Sequence, residues 1–164
     1  MERWSIDLFK ESFRFSAAHF LIFPDGTSER LHGHNYRVRV EVAAALSPHG
    51  LVIDFRRVKP VVRDLLAELD EHWIVPGRHP GLSVGPRSDG VTEVRYRELF
   101  YCAPTGDVLV LPINNASSEN LAGWIGRTLL ERLVSTFAGV EVTRLRVAVE
   151  ETPGQSGVYL YEPS

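Results

Sequence analysis

The chain holds a single cysteine, Cys102, among its 164 residues. A lone thiol excludes an internal disulfide framework and fits a reducing cytoplasm. No apolar run approaches the ~18 residues that a membrane span requires. The opening residues, Met1 to Asp7, are charged and lack an apolar stretch, so no secretory leader is expected. Lysine occurs only as Lys10 and Lys59, there is no basic block, and the net charge is −3. Nucleic acid is therefore not an expected partner. Repeats and low-complexity tracts are also missing. What is present suits one ordinary domain over residues 1–164, with 44% hydrophobic residues to close a core.

The chemistry concentrates in the run Leu31-His32-Gly33-His34-Asn35-Tyr36. Beyond it, Tyr36, Val38, Val40 and Val42 alternate with Arg37, Arg39 and Glu41. A period of two predicts a half-buried strand. His32 and His34 continue that alternation, so both rings leave one face. Phe13, Phe15 and Ala17 alternate in the same way toward His19, predicting a second strand over 9–21. Phe23 to Ser28, rich in turn residues, lets the two strands pair antiparallel and brings His19 beside His32 and His34. An H-x-H pair alone is weak evidence in a chain with six histidines. Three neutral imidazoles on one sheet face make a zinc site, and three protein ligands leave the fourth position open for chemistry.

Elsewhere, Asp54 is placed to cap a helix over about 55–70, striped by Val58, Val62, Leu65, Leu66 and Leu69. Residues 75–91 carry three prolines and four glycines and read as a long loop. Residues 94–101 and 108–111 flank a turn and read as a hairpin. Ser117 or Ser118 caps a second helix over about 118–136, ended by Gly139, and strands follow at 141–151 and 156–161. The order predicts an α+β fold, with an antiparallel four-stranded sheet and two helices on one face. Cys102, beside the hairpin turn, reads as a packing residue. Trp4, Trp73 and Trp124 read as core or interface, and His49 and His79 as solvated turn residues.

The segments FSAAH (15–19), LHGHNY (31–36), VIDF (52–55), LD (69–70), SSENLA (117–122) and VEET (149–152) occur in this order. Together they resemble the 6-pyruvoyl-tetrahydropterin synthase family, which includes the 6-carboxytetrahydropterin synthases. The resemblance implies the tunnelling fold, assembled into rings, usually a homohexamer built as a dimer of trimers with active sites between subunits. It implies zinc on His19, His32 and His34, and a pterin anchored by Glu151, with Ser117, Ser118 and Glu119 in the substrate site. A carboxylate suits that anchor, because the pterin edge offers two N–H donors side by side. Against that family, residues 75–113 look like an insertion.

The proton-transfer positions depart from the family pattern. Members use a cysteine a few residues before HGH, with an Asp-His pair after the first helix. Here Ser28 stands four before His32, and a serine is no thiolate base near neutral pH. Glu29 gives E-x-x-H-G-H, similar to the subgroup that makes 6-hydroxymethyl-dihydropterin. Asp70 matches, but Glu71 follows where the family has histidine, and His72 comes one place late. The expected catalytic set is Glu29, Asp70, Glu71 and His72. The reading is a lyase-type enzyme acting on the side chain of a dihydroneopterin triphosphate-like pterin. The alternatives are a non-catalytic pterin-binding protein, or an enzyme for a different pterin or purine-like ligand.

Overall fold

The computed structural model describes residues 2–163. Ten strands and two helices run in the order β1 (Ser5–Leu8), β2 (Arg14–His19), β3 (His32–Ala44), α1 (Phe55–Ala67), β4 (His72–Pro76), β5 (Leu82–Pro86), β6 (Val91–Tyr96), β7 (Leu99–Pro104), β8 (Val108–Leu111), α2 (Ser118–Thr136), β9 (Val142–Thr152) and β10 (Gln155–Tyr161). The expected α+β class holds. The main sheet differs in detail from the four antiparallel strands that the sequence predicts. It has seven strands in the order β10-β9-β3-β2-β4-β8, with β1 paired to β3. Strand β4 runs parallel to both β2 and β8, which alternation within a strand cannot reveal.

The two predicted strands around the histidines pair antiparallel in one register, Phe15 opposite Tyr36, Ala17 opposite His34 and His19 opposite His32. The span predicted over 9–21 divides, because Lys10 accepts the amide of Phe13 in a turn before β2 begins. Phe13, Phe15, Tyr36, Val38, Val40 and Val42 are buried, as are Val147 and Val149 of β9. Both helices cover this face. In α1, Val58, Val62, Leu65 and Leu66 point inward, and the Asp54 carboxylate caps the helix by accepting the Arg56 amide. In α2, Leu121, Ile125, Leu129 and Leu133 do the same, and Ser117 is its cap. One apolar cluster joins these side chains to the sheet. Neither helix is long and apolar enough to cross a membrane.

The region after β4 corrects two expectations. Residues 94–101 are not one arm of a hairpin with 108–111. Strand β6 turns at Arg97 and pairs with β7, while β8 leaves to join β4 in the main sheet. Part of the predicted 75–91 loop is β5, which pairs with β6. The result is a separate three-stranded sheet, seated on Phe20, Ile22, Trp73 and Val75 through Val94 and Tyr96. The signal was masked by Pro86 and the glycines around it, which sit in and beside an outer strand where such residues are tolerated. Cys102 is exposed on β7 rather than packed, with the Arg87 guanidinium 3.7 Å from its sulfur. Trp73 is buried, Trp124 packs at the core margin and Trp4 is half exposed. His49 is exposed, and His79 is half-buried with its ring edge-on to Tyr96.

Gly157 of β10 shows how closely the sheet seats on α2. A Cβ there would lie 2.2 Å from the Glu119 amide nitrogen and 2.3 Å from the Ser118 carbonyl carbon. Backbone cannot swing aside as a side chain can. Gly157→Ala is expected to destabilise the fold by about 1–3 kcal/mol. Thermal denaturation reads this as a fall of several degrees, and an unchanged Tm would show that β10 does not pack on the start of α2.

Candidate metal and substrate site

His19 ends β2 and His32 begins β3, so pairing of those two residues is enough to bring their rings together. His34 follows one pleat along. The ring centroids lie 4.8 Å apart for His19–His32, 5.2 Å for His19–His34 and 4.8 Å for His32–His34. One ring nitrogen of each histidine and one Glu151 carboxylate oxygen all fall within 4.8 Å of one another. The structure thus unites the three predicted ligands and adds Glu151 to them.

Backbone carbonyls orient two of the rings. His19 Nδ1 donates to the Ala116 carbonyl at 2.7 Å, and His32 Nδ1 donates to the Arg30 carbonyl at 2.7 Å. A carbonyl only accepts, so in the neutral ring each Nδ1 holds the proton and each Nε2 presents a lone pair. Burial pushes the His19 imidazole below its ordinary value, outweighing the opposing pull of the Ala116 carbonyl and Glu151. Its Nε2 is fully buried and makes no hydrogen bond among the described residues. Yet Glu151 Oε1 lies 3.1 Å away, and 3.1 Å from His34 Nε2. A lone pair facing a carboxylate oxygen in a buried pocket is a repulsive arrangement that a cation between them relieves. These residues fit a zinc ion in donor type and spacing.

Glu29 belongs to the same site. It closes a short hairpin in which its amide donates to the Leu21 carbonyl and Ile22 bridges Ser28. Its carboxylate accepts the Leu21 amide at 3.1 Å and stands 3.9 Å from His32 Nε2. Tyr36 lies one pleat beyond His34, stacked on Phe15 with its centroid 4.8 Å away. Its hydroxyl is buried without a partner among the described residues. Burial pushes the phenol up, and the Glu151 and Glu29 charges push the same way, so it stays protonated.

Asp70, Glu71 and His72 lie elsewhere within the chain. Helix α1 stops at Ala67, short of the expected end near 70, and His72 opens β4 opposite Ala17. The Asp70 carboxylate accepts the Ser16 amide at 2.7 Å. Glu71 adopts a left-handed φ of 58°, which turns the chain from α1 into β4. Glu71 and His72 then line a cleft of 500 Å³ with Ser16, Gly33, His34 and Asn35. Ser16 and Asn35 point away from the buried histidine face, and their side chains hydrogen-bond each other at 2.7 Å. Among the described residues, neither Glu71 nor His72 makes an ion pair or hydrogen bond to the three histidines.

The substrate-site candidates at the start of α2 are tied to the metal cluster through the backbone. Ser117 Oγ accepts the Asn120 amide at 3.4 Å, Ser118 Oγ donates to the Glu119 carboxylate at 3.5 Å, and Glu119 is exposed in the first turn. Just before them, Ala116 holds His19, and the Asn115 side chain grips Ile22 on both sides, accepting its amide at 3.2 Å and donating to its carbonyl at 2.8 Å. Asn115 thus holds the hairpin that carries Glu29. Sequence reasoning missed this residue because its partner lies 93 positions away.

The chain is similar to known proteins over nearly its whole length. Over nearly its full length the chain superposes on the 6-pyruvoyl tetrahydropterin synthase of Plasmodium vivax, with a TM-score of 0.91 and 27% identity, covering 99% of this chain and 100% of that one. A variant of the P. vivax protein in which a catalytic glutamate is replaced by alanine aligns with a TM-score of 0.88 and 27% identity over the same shares. A relative in Methanocaldococcus jannaschii is 30% identical over 147 residues, 89% of this chain and 88% of its own length. The fold is the tunnelling fold of these proteins. The sequence pattern of 6-pyruvoyl tetrahydropterin synthases matches residues 8–162, and the chain belongs to that family of pterin-metabolising proteins.

Proposed function

We propose that the protein is a zinc-dependent lyase acting on the side chain at carbon 6 of a dihydroneopterin triphosphate-like pterin. The observation that carries this reading is the convergence of three imidazole nitrogens with a carboxylate, Glu29, standing 3.9 Å from His32 Nε2. Zinc held by His19, His32 and His34 would polarise a hydroxyl or carbonyl of the pterin side chain. Glu29 accepts a proton from that side chain. The Leu21 amide fixes the direction of its carboxylate. Ser28 cannot take this part, so the expected product is the shorter 6-hydroxymethyl-dihydropterin rather than the 6-pyruvoyl or 6-carboxy compound. A catalytic glutamate in the P. vivax relative supports the assignment of such a role to a carboxylate.

Asp70, Glu71 and His72 take part from the outer face. In a ring assembly that face meets a neighbouring subunit, so these residues would serve an active site shared between copies. The edge strands favour such a ring, a homohexamer in the cytoplasm. Among the described residues, the outer edges of β10 and β8 pair with no further strand, and Val158, Leu160 and Val110 on them are 45%, 53% and 46% exposed. A second reading, a pterin-binding protein without turnover, is favoured by Ser28 standing where the family has a cysteine and by Glu71 standing where it has a histidine.

Incubating the zinc-loaded protein with dihydroneopterin triphosphate separates the two readings. The 6-hydroxymethyl product is expected. Glu29→Gln should lower its formation by about 10²–10⁴-fold, while Ser28→Ala leaves it intact. Robust 6-pyruvoyl product would overturn the role given to Glu29, and tight pterin binding without product would favour the second reading.

Elemental analysis should find about one zinc per chain, and His32→Ala should bind it far more weakly. Full zinc in that variant would remove His32 from the ligand set. Light scattering should show a hexamer, and a stable monomer at micromolar concentration would rule out the shared site.

A further inference from the structure

We propose that Glu151 is a displaceable fourth ligand, closing the three-histidine metal site in the free protein and leaving it when a pterin takes its carboxylate. This rests on the pterin reading above and adds a role that anchoring alone does not include. The argument begins with distance. Glu151 Oε1 stands 3.1 Å from His19 Nε2 and 3.1 Å from His34 Nε2. In a tetrahedral zinc site with ordinary bond lengths, neighbouring ligand atoms are about 3.3 Å apart. One carboxylate oxygen therefore sits where a fourth corner belongs, with all four donor atoms within 4.8 Å.

Hydrogen bonding gives the second argument. His19 Nδ1 is taken by the Ala116 carbonyl, while the buried Nε2 makes no hydrogen bond among the described residues although Glu151 Oε1 stands 3.1 Å away. The close pair makes sense as two ligands of one cation.

The backbone explains how Glu151 reaches this place and how it can leave. On β9, Glu150 pairs with Ser156 and Thr152 pairs with Gln155, so Glu151 is the extra residue of a β-bulge. Bulges re-aim side chains and loosen the ladder. The turn that follows uses Gly154 at φ 83°, which only glycine adopts readily. His19 is buried at 1% exposure, whereas Glu151 retains 22%, an open path for rotation.

A pterin needs both carboxylate oxygens for its two parallel N–H donors. With Oε1 on the metal, only Oε2 is free. Binding the pterin edge therefore draws the carboxylate off, and a coordination position opens only when a pterin is present to use it. The site is protected from adventitious ligands until then.

The test compares unmodified protein with Glu151→Gln and Glu151→Asp, each loaded with zinc or with cobalt(II) as a visible reporter. Chelator competition should show zinc affinity lower by at least about tenfold in both variants, since even outer-shell losses cost 10–100-fold. The cobalt absorption of the variants should differ from that of unmodified protein. Adding neopterin to unmodified cobalt protein should change its spectrum, and Glu151→Gln, which has no carboxylate to release, should not show the same change. Equal zinc affinity and an identical cobalt spectrum in the variants would overturn ligation by Glu151. A fluorescence titration that shows neopterin bound while the cobalt spectrum stays fixed would overturn displacement and leave the pterin reading standing. No neopterin binding by the metal-loaded unmodified protein would overturn the pterin reading, and displacement with it.

Discussion

The antiparallel register of β2 on β3 is the constraint on which the site depends. Ala17 faces His34 and His19 faces His32 across that ladder. A slip of one residue would send His32 and His34 to the outer face and bring Gly33 and Asn35 inward. The register is held by apolar side chains that begin beside the site and run on away from it. Phe15 and Tyr36 stack, and Val38, Val40 and Val42 are buried beneath the helices. A slip would expose these side chains, each worth roughly 1.5–3 kcal/mol when buried. The apolar half of β3 thus fixes where its polar end points.

Around that ladder, one short segment ties separate parts of the site together. Ala116 orients His19, Asn115 clamps the hairpin of Glu29, and Ser117 starts α2. The three-stranded sheet of β5, β6 and β7 braces the far end of the same hairpin. The Tyr96 hydroxyl donates to the Gly26 carbonyl at 2.9 Å, and the Arg97 guanidinium lies across Gly26. Gly26 sits at φ 82°, a left-handed conformation that favours glycine, and the Arg97 guanidinium fills the space beside its Cα. The loop between β2 and β3 is therefore held at both ends, and Glu29 is presented by a rigid element. Rigid support of this kind keeps a reacting carboxylate in line at little entropic cost.

The two faces of the β2–β3 ladder carry different candidate site residues. The inner face bears the histidines, Tyr36 and Glu151's carboxylate. The outer face bears Ser16, Asn35 and the cleft with Glu71 and His72. The left-handed turn at Glu71 makes this division, since it ends the run from α1 and starts β4 beside Ala17. A non-glycine residue in that conformation is costly, and the Ser16 carbonyl, accepting the Glu71 amide at 2.7 Å, helps to hold it.

Local pattern determined a great deal here. Alternation around HGH and FSAAH identifies two strands, their pairing and the three convergent histidines, because strand period and turn composition are properties of adjacent residues. Asp54 and Ser117 mark both helix starts for the same reason. Tertiary structure decided the rest. That Glu151 meets His19 and His34 depends on a bulge between β9 and β10 and on the chain returning from 132 residues away, as 151 − 19 gives. That β8 joins β4 rather than closing a hairpin, and that Asn115 holds Ile22, are choices among partners distant in sequence. Such partners are selected by burial and by the satisfaction of backbone hydrogen bonds in three dimensions, and no local period records that selection.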